Sequence, residues 1–189
     1  MQELRLSLWE ERLAEKKSNG RFTFWACFLV LLIALVLVLN TMVFFMVEVD
    51  GASMQNTLYD GDVLTVNKLR QPREGDIVIL EMADGSYIIK RVIATEGDSV
   101  EIKNGKVYLN ESQTPISEPY AKGETYPTGA STRWIVGEDE VFFLGDNRQN
   151  SLDSRVLGAF KIEKVLGVVE DWSIKTTGIR TWIYNTIGI

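Results

Sequence analysis

The chain has 189 residues, of which 46% are hydrophobic and 24% are charged, with a formal net charge of −6 at pH 7. This length suffices for one domain with its own core and a further segment. The chain holds one cysteine and no histidine, which excludes an intrachain disulfide, a Cys-rich zinc site and any catalytic triad or dyad with a histidine base. A hydrolase built from this chain must take its base from lysine, a carboxylate or water.

The first predicted element is a membrane-spanning helix over residues 22–47, a run of 26 residues without a charge. At 1.5 Å per residue such a helix is about 39 Å long, which is enough to cross a bilayer with some tilt. The run is too long for a cleaved signal peptide and lacks a small-x-small site after it. Its centre is apolar on every face, whereas a helix on the surface of a domain shows a polar stripe.

The charges on either side of this run predict its orientation. Lys16, Lys17 and Arg21 precede it, and Glu48 and Asp50 follow it. Basic residues favour the cytoplasmic side of a membrane, so residues 1–21 are expected in the cytoplasm and the rest of the chain outside the cell membrane. The outer part holds 15 basic and 22 acidic residues, which argues against nucleic acid as a partner.

Residues 48–172 are predicted to form a β-rich body. Asn104-Gly105 and Asp84-Gly85 each separate two strand-like runs and predict hairpins. Residues 99–137 are expected to form a long loop or a small subdomain. The predicted class is all-β and partly barrel-like, on one N-terminal helix. The predicted strands, rich in Val, Ile, Tyr and Phe, are residues 63–68, 76–82, 86–94, 99–109, 134–136, 141–146 and 165–172.

Residues 173–189 form a predicted C-terminal tail that is too short and too polar to span a membrane. Two interpretations stay open for it. Trp182 and Tyr184 could lie at the membrane interface, where such side chains are enriched, or the tail could close the core of the domain.

Ser53 and Lys90 are the candidate catalytic pair. Gly51, two residues before Ser53, permits a tight backbone that a peptide can approach. Lys90 lies within an apolar predicted strand, on the same face as Ile88 and Val92. Burial there would lower the lysine pKa from about 10.4 to roughly 8, at a cost of about 3 kcal/mol, and yield a neutral amine that can act as base. Taken singly, a serine in a turn and a lysine on a strand edge are ordinary structural residues.

Three sequence blocks together resemble the bacterial type I signal peptidases, the Ser/Lys class of this peptidase family. They are VDGASMQNTLYDGDVLTVNK (residues 49–68), YIIKRVIATEGD (residues 87–98) and LGDNRQNSLDSRVLGAF (residues 144–160). The third block is long and specific. Relatives in the endoplasmic reticulum and in archaea carry histidine in place of the lysine, so a chain without histidine resembles the bacterial class.

The resemblance implies roles for individual residues. Ser53 would attack the scissile carbonyl, Lys90 would act as general base, and Ser151 would hydrogen-bond Lys90 and orient it. Asp153 and Arg155 would form an ion pair that holds the site together. The loop beside the site would contain Gly145, Asp146 and Asn147.

The nucleophile block is expected to meet the substrate and the developing oxyanion. The backbone N–H of Ser53 would be one oxyanion donor, with Gly51 and Met54 in the same region. Some members carry a hydroxyl residue where this chain has Gly51, so a second donor would have to come from elsewhere or be absent. Asn56 and Glu96 stand where the family usually has proline, which puts efficiency and substrate range in question.

The resemblance implies a membrane-anchored serine endopeptidase that removes signal peptides from exported preproteins, after small residues at the first and third positions before the bond. Its partners would be preproteins and membrane lipid, with no cofactor and no metal. One alternative is a non-catalytic relative that binds preproteins, and another is a LexA-like self-cleaving regulator. A Mg²⁺ or Ca²⁺ loop at Asp146, Asn147 and Asp153 is disfavoured because Arg148 and Arg155 lie among these residues.

Overall fold

The computed structural model of this chain describes residues 2–175. The chain divides into two compact units, Met1–Val43 and Phe44–Ile189. The first unit is one helix, α1, over Gln2–Val43. Within it, Gly20–Val43 is long and apolar enough to cross a membrane, and none of this segment is buried inside the protein. A core helix of a soluble domain would be buried, so the exposure of these apolar side chains supports the predicted span.

The predicted span is wrong in its last four residues. The helix ends at Val43, and Phe44–Glu48 forms strand β1. This strand pairs with β2 (Val63–Asn67) in an antiparallel register from Phe44 opposite Asn67 to Glu48 opposite Val63. Hydropathy alone does not separate an apolar helix from an apolar strand, whereas backbone pairing with a distant segment does. The β-rich body therefore begins at Phe44 and not at residue 48.

The second unit is built from antiparallel strands, and the predicted all-β class is confirmed. A seven-stranded sheet has the order β1-β2-β10-β3-β4-β8-β9, and a three-stranded sheet has the order β6-β5-β7. Neither sheet closes into a barrel within residues 44–175. The remaining strands are β3 (Ile77–Glu81), β4 (Tyr87–Thr95), β5 (Ser99–Lys103), β6 (Lys106–Leu109), β7 (Arg133–Ile135), β8 (Glu140–Leu144), β9 (Phe160–Lys161) and β10 (Val165–Val169).

Both predicted hairpins are confirmed. Asn104 and Gly105 join β5 to β6 and have positive φ angles of 51° and 74°, which a two-residue type I′ turn requires. Asp84 and Gly85 lie in the turn between β3 and β4. Strand β9 was not predicted, because a two-residue strand is too short to show a sequence pattern.

Strand β4 lies between β3 and β8, and each of them pairs with a different half of it. It pairs with β3 from Tyr87 to Arg91, whereas its pairing with β8 begins only at Arg91. The first half of β4 therefore has one edge that no described strand covers. A core cluster that includes Val49, Met54 and Ile79 lies beneath this region of the sheet.

Short helical segments follow β8, β9 and β10. Helix α2 covers Ser154–Leu157, a 3₁₀ turn covers Ile162–Lys164, and helix α3 covers Asp171–Lys175. The predicted last strand thus ends at Val169, and the chain continues as a helix. The predictions for Trp182 and Tyr184 lie outside the described residues.

Candidate active site

Ser53 and Lys90 are far apart in the sequence and hydrogen-bonded in the structure. Ser53 lies in the turn that follows β1, and the turn is fixed by Met54, whose side chain is fully buried. Lys90 lies on β4 and is only 3% exposed. Its Nζ donates to Ser53 Oγ over 2.9 Å and to the carbonyl oxygen of Ile89 over 2.9 Å. The candidate nucleophile and the candidate base are therefore within proton-transfer distance.

Burial lowers the pKa of Lys90 from its ordinary value of 10.5 to about 8. The carboxylates of Asp153 and Asp146 act in the opposite direction, because negative charge stabilises the ammonium, but they do not cancel the effect of burial. A lysine with this pKa is partly neutral near pH 8. Its nitrogen then has a lone pair that can accept the proton of a serine hydroxyl.

Ser151 lies beside Ser53, but the predicted hydrogen bond from Ser151 to Lys90 is not formed. A Cβ added to Gly145 would lie 2.2 Å from Ser151 Oγ and 2.7 Å from the carbonyl oxygen of Ser53. The Oγ of Ser151 is buried and has no hydrogen-bond partner among the described residues. The backbone brings the residue to the site, whereas the direction of its hydroxyl depends on a side-chain rotamer that sequence spacing does not determine.

Asn147 holds the backbone around Ser53. Its N–H donates to the carbonyl oxygen of Ser53 over 2.9 Å, and its Nδ2 donates to the carbonyl oxygen of Ala52 over 3.0 Å. The third sequence block thus restrains the nucleophile block directly, in line with its expected place beside the site.

Asp153 and Arg155 form the predicted ion pair. The Nε and Nη2 atoms of Arg155 donate to the two carboxylate oxygens of Asp153 over 2.8 and 2.9 Å, and both side chains are buried. Asp153 also accepts the N–H of Gly145 over 3.1 Å and caps helix α2. The pair therefore fixes the backbone on which Gly145 and Ser151 lie.

A second buried ion pair, between Arg91 and Asp146, was not predicted. Arg91 Nε and Nη2 donate to Asp146 over 2.8 and 2.7 Å, and Thr57 also donates to this carboxylate. The guanidinium carbon lies 3.9 Å from the centre of the Tyr120 ring. This one cluster joins the three sequence blocks. The sequence signal for this ion pair was Arg91 itself, a second charged residue directly after Lys90 in an apolar strand.

Arg148 is a third buried arginine, and no sequence pattern predicted a structural role for it. It is 2% exposed and pairs with Glu118 from the loop before β7. Its Nε donates to the carbonyl oxygen of Gly145 over 3.0 Å. The guanidinium groups of Arg91 and Arg155 occupy the carboxylates of Asp146 and Asp153, which leaves neither carboxylate open for the Mg²⁺ or Ca²⁺ loop considered from the sequence.

The serine and the lysine open into a cleft of about 410 Å³. One wall is the end of β1 with the following loop, and the other is the beginning of β4. Met54 contributes to the lining. Gly51 has a φ of 96°, which favours glycine, and its N–H donates to Asp60 Oδ1 over 2.7 Å. Gly51 therefore offers the cleft neither a side-chain donor nor a free N–H.

Comparison with known proteins shows the family to which this chain belongs. The model of the family "Signal peptidase, peptidase S26" matches residues 22–172, so the chain belongs to this family of serine peptidases. It is 33% identical over 156 residues to signal peptidase I of Bacillus amyloliquefaciens, covering 76% of this chain and 83% of the relative. It is also 33% identical over 171 residues to signal peptidase I T of Bacillus subtilis strain 168, covering 83% and 87% of the two chains.

Among solved structures, the chain is similar to a signal peptidase I from Enterococcus faecalis V583. The two are 28% identical with a TM-score of 0.43, and the match covers 53% of this chain and 98% of that one.

Proposed function

We propose that this protein is a membrane-anchored serine endopeptidase that removes N-terminal signal peptides from exported preproteins. Membership of the signal peptidase family and relatives named signal peptidase I support the activity. The observation that carries the catalytic assignment is the 2.9 Å hydrogen bond between Lys90 Nζ and Ser53 Oγ inside the cleft. The exposed apolar segment Gly20–Val43 supports the anchor.

In the proposed reaction, neutral Lys90 accepts the hydroxyl proton of Ser53 while Oγ forms a bond to the scissile carbonyl carbon. The negative charge that develops on the carbonyl oxygen is stabilised by the backbone N–H of Ser53. The Lys90 ammonium then protonates the amine of the leaving mature protein, and the C–N bond breaks. Lys90 then accepts a proton from a water molecule as the water oxygen bonds to the acyl carbon, and it returns this proton to Ser53 Oγ as the ester bond breaks, which releases the signal peptide and restores the serine and the neutral lysine.

The other site residues would position this pair. Asn147 restrains the carbonyl groups of Ala52 and Ser53, and the Asp153–Arg155 pair holds the segment that carries Ser151. The buried Ser151 hydroxyl, which has no hydrogen-bond partner among the described residues, would turn toward the amine of Lys90 during the reaction. A preference for small residues at the first and third positions before the bond fits a shallow pocket, in which a bulky side chain would clash.

The anchor would hold the cleft at the outer surface of a bacterial cell membrane, where the apolar segment of a signal peptide is also held. Confining both to one membrane raises their effective concentration. Residues 1–21 would then lie in the cytoplasm. Accessibility of a single cysteine, introduced at position 3 or 163 of a Cys27→Ala chain, to a membrane-impermeant reagent tests this orientation.

The function is tested with the full chain in lipid vesicles and a preprotein that carries an Ala-Gln-Ala site. Wild-type protein is expected to cleave after the second alanine, and Ser53→Ala and Lys90→Met are expected to lose this cleavage. Ser112→Ala and Lys164→Met are matched controls, because both residues are exposed. Absence of cleavage by the wild type would favour the non-catalytic binding protein, and full activity in either site variant would overturn the Ser53–Lys90 assignment.

A further inference from the structure

The cleft has two acidic side chains at its rim that the proposed reaction does not use. Glu48 and Asp50 are both exposed, and both lie on the wall formed by the end of β1 and the following loop. Neither carboxylate forms an ion pair with a lysine or arginine among the described residues. What they contribute depends on how a substrate lies in the cleft, so this inference rests on the proposed function.

A substrate whose scissile bond lies at Ser53 must pass through the cleft between the end of β1 and the beginning of β4. Strand β1 leads along the chain to the turn that carries Ser53. The residues before the scissile bond are therefore expected to lie along β1, opposite the beginning of β4.

The backbone of β1 is prepared for such a partner. The N–H of Val49, the residue after β1, donates to the carbonyl oxygen of Asp62, and its carbonyl oxygen accepts from the N–H of Gly61, so its polar groups point to the side on which β2 lies. In an antiparallel ladder the polar groups of alternate residues point to opposite edges. Those of Glu48 and Asp50 therefore point away from β2, along the edge of β1 that no described strand covers. An extended peptide can add to this edge as a further strand.

Alternation also determines which substrate side chain faces these carboxylates. At the end of β1 and directly after it, the side chains of Val47 and Val49 pack into the core, whereas Glu48 and Asp50 point to solvent on the other face. In the substrate strand, the small first and third residues before the bond point into the protein. The residue between them points outward, on the same face as Glu48 and Asp50.

We propose that Glu48 and Asp50 select the substrate by charge, favouring a basic residue at the middle position of the small-x-small site and disfavouring an acidic one. Neighbouring strands lie about 4.7–4.9 Å apart, so charged side chains on the same face interact: opposite charges attract and like charges repel. The charged residues that line the cleft are Glu48, Asp50 and Lys90. Lys90 Nζ donates its hydrogen bonds to Ser53 Oγ and to the carbonyl oxygen of Ile89, and it forms no ion pair with either rim carboxylate.

The test uses three preproteins that differ at one position, with Ala-Lys-Ala, Ala-Gln-Ala and Ala-Glu-Ala before the cleaved bond. For wild-type protein in vesicles of neutral lipid, kcat/KM is expected to fall in the order Lys, Gln, Glu. Two exposed charge pairs predict a total Lys-to-Glu ratio of about five- to twentyfold at low salt. Raising the ionic strength to about 0.5 M should shrink this ratio, because salt screens exposed charges.

The Lys-to-Glu ratio is then measured in the double variant Glu48→Gln/Asp50→Asn, where it is expected to fall to about one- to twofold. Glu163→Gln is the matched control, because this exposed carboxylate follows β9 at the opposite edge of the sheet and its loss should leave the ratio unchanged. Equal rates for the three substrates, or an unchanged ratio in the double variant, would overturn the proposal while cleavage of the Gln substrate upholds the peptidase function. Absence of cleavage of all three would overturn both.

Discussion

The backbone N–H of Asn147 donates a 2.9 Å hydrogen bond to the carbonyl oxygen of Ser53, and thereby ties the loop after β8 to the turn that carries the candidate nucleophile. The side chain of Asn147 donates from Nδ2 to the carbonyl oxygen of the preceding residue, Ala52. Two consecutive peptide units are therefore fixed by one residue. Such restraint matters because a serine hydroxyl displaced by about 1 Å from its acceptor can lose a hundredfold in rate.

Asn147→Ala removes the side-chain hydrogen bond and leaves the backbone one. We expect kcat for preprotein cleavage to fall by about tenfold or more with a smaller change in KM, because the turn around Ser53 gains freedom. Asn67→Ala is the matched control. Asn67 is the last residue of β2 and lies at the end of that strand away from the cleft, where its Nδ2 donates to the carboxylate of Glu170. Loss of this hydrogen bond should lower stability and leave kcat unchanged. Equal losses of kcat in the two variants would contradict a positioning role for Asn147.

Gly145→Ala tests the close approach between the two serine-bearing segments. The added Cβ would lie 2.2 Å from Ser151 Oγ and 2.7 Å from the carbonyl oxygen of Ser53, so one or both must move. Cleavage is expected to fall by about a hundredfold or more. Gly129→Ala is the control, because a Cβ at Gly129 meets nothing within 4 Å. Near wild-type cleavage by Gly145→Ala would show that this contact does not position the serine.

The pH dependence of cleavage follows from the base. Burial lowers the pKa of Lys90 to about 8, and only the neutral amine accepts the serine proton. We expect kcat/KM to rise tenfold per pH unit below about pH 8 and to level off above it. A profile measured with the Ala-Gln-Ala preprotein locates this limb. A profile that is flat from pH 6 to 9 would exclude Lys90 as the group that controls the rate.

The same lowered pKa predicts that Lys90 destabilises the fold at neutral pH. The folded-state pKa lies below the ordinary value of 10.5, so the unfolded chain binds more protons between about pH 8 and 10.5. The cost is full below pH 8 and vanishes above about pH 10.5, and 1.36 kcal/mol per pKa unit makes it about 3 kcal/mol.

Lys90→Met should therefore be inactive and more stable at pH 7, by about 1–3 kcal/mol once the two lost hydrogen bonds are subtracted. The gain should shrink as the pH approaches 10.5. Denaturant unfolding of the full chain in detergent at pH 7 and pH 10 measures it, with Lys164→Met as the exposed control. A variant that is less stable than wild type at pH 7 would contradict the cost assigned to burial.

The Arg91–Asp146 pair should contribute to stability chiefly through the penalty for breaking it. Asp146 is fully buried, and Arg91 is 9% exposed. Asp146→Asn leaves a buried guanidinium without its counter-charge, so we expect the free energy of unfolding to fall by about 3–5 kcal/mol. Glu101→Gln, which breaks the exposed pair with Lys103, should cost less than about 1 kcal/mol. Similar costs for the two substitutions would contradict the difference in burial.

The sequence by itself determined the parts of this protein that depend on local pattern. The uncharged run predicted the membrane helix, and Asn104-Gly105 predicted its hairpin, because hydropathy and turn chemistry act over a few residues. The absence of histidine directed attention to lysine, and the apolar neighbours of Lys90 predicted the direction of its pKa. The three blocks together pointed to the peptidase family.

The tertiary structure decided what depends on contacts between distant segments. Only pairing with β2 shows that Phe44–Glu48 is a strand and not the end of the helix. Only packing shows that Ser151 has no bond to Lys90 and that Arg91 holds Asp146, because ion-pair partners and rotamers are determined by neighbours that lie far away in the sequence. The short distance between Ser53 and Lys90 also depends on the tertiary structure. The residue types suggested the chemistry, but only the fold brings the end of β1 and the beginning of β4 to one cleft, where the two side chains meet.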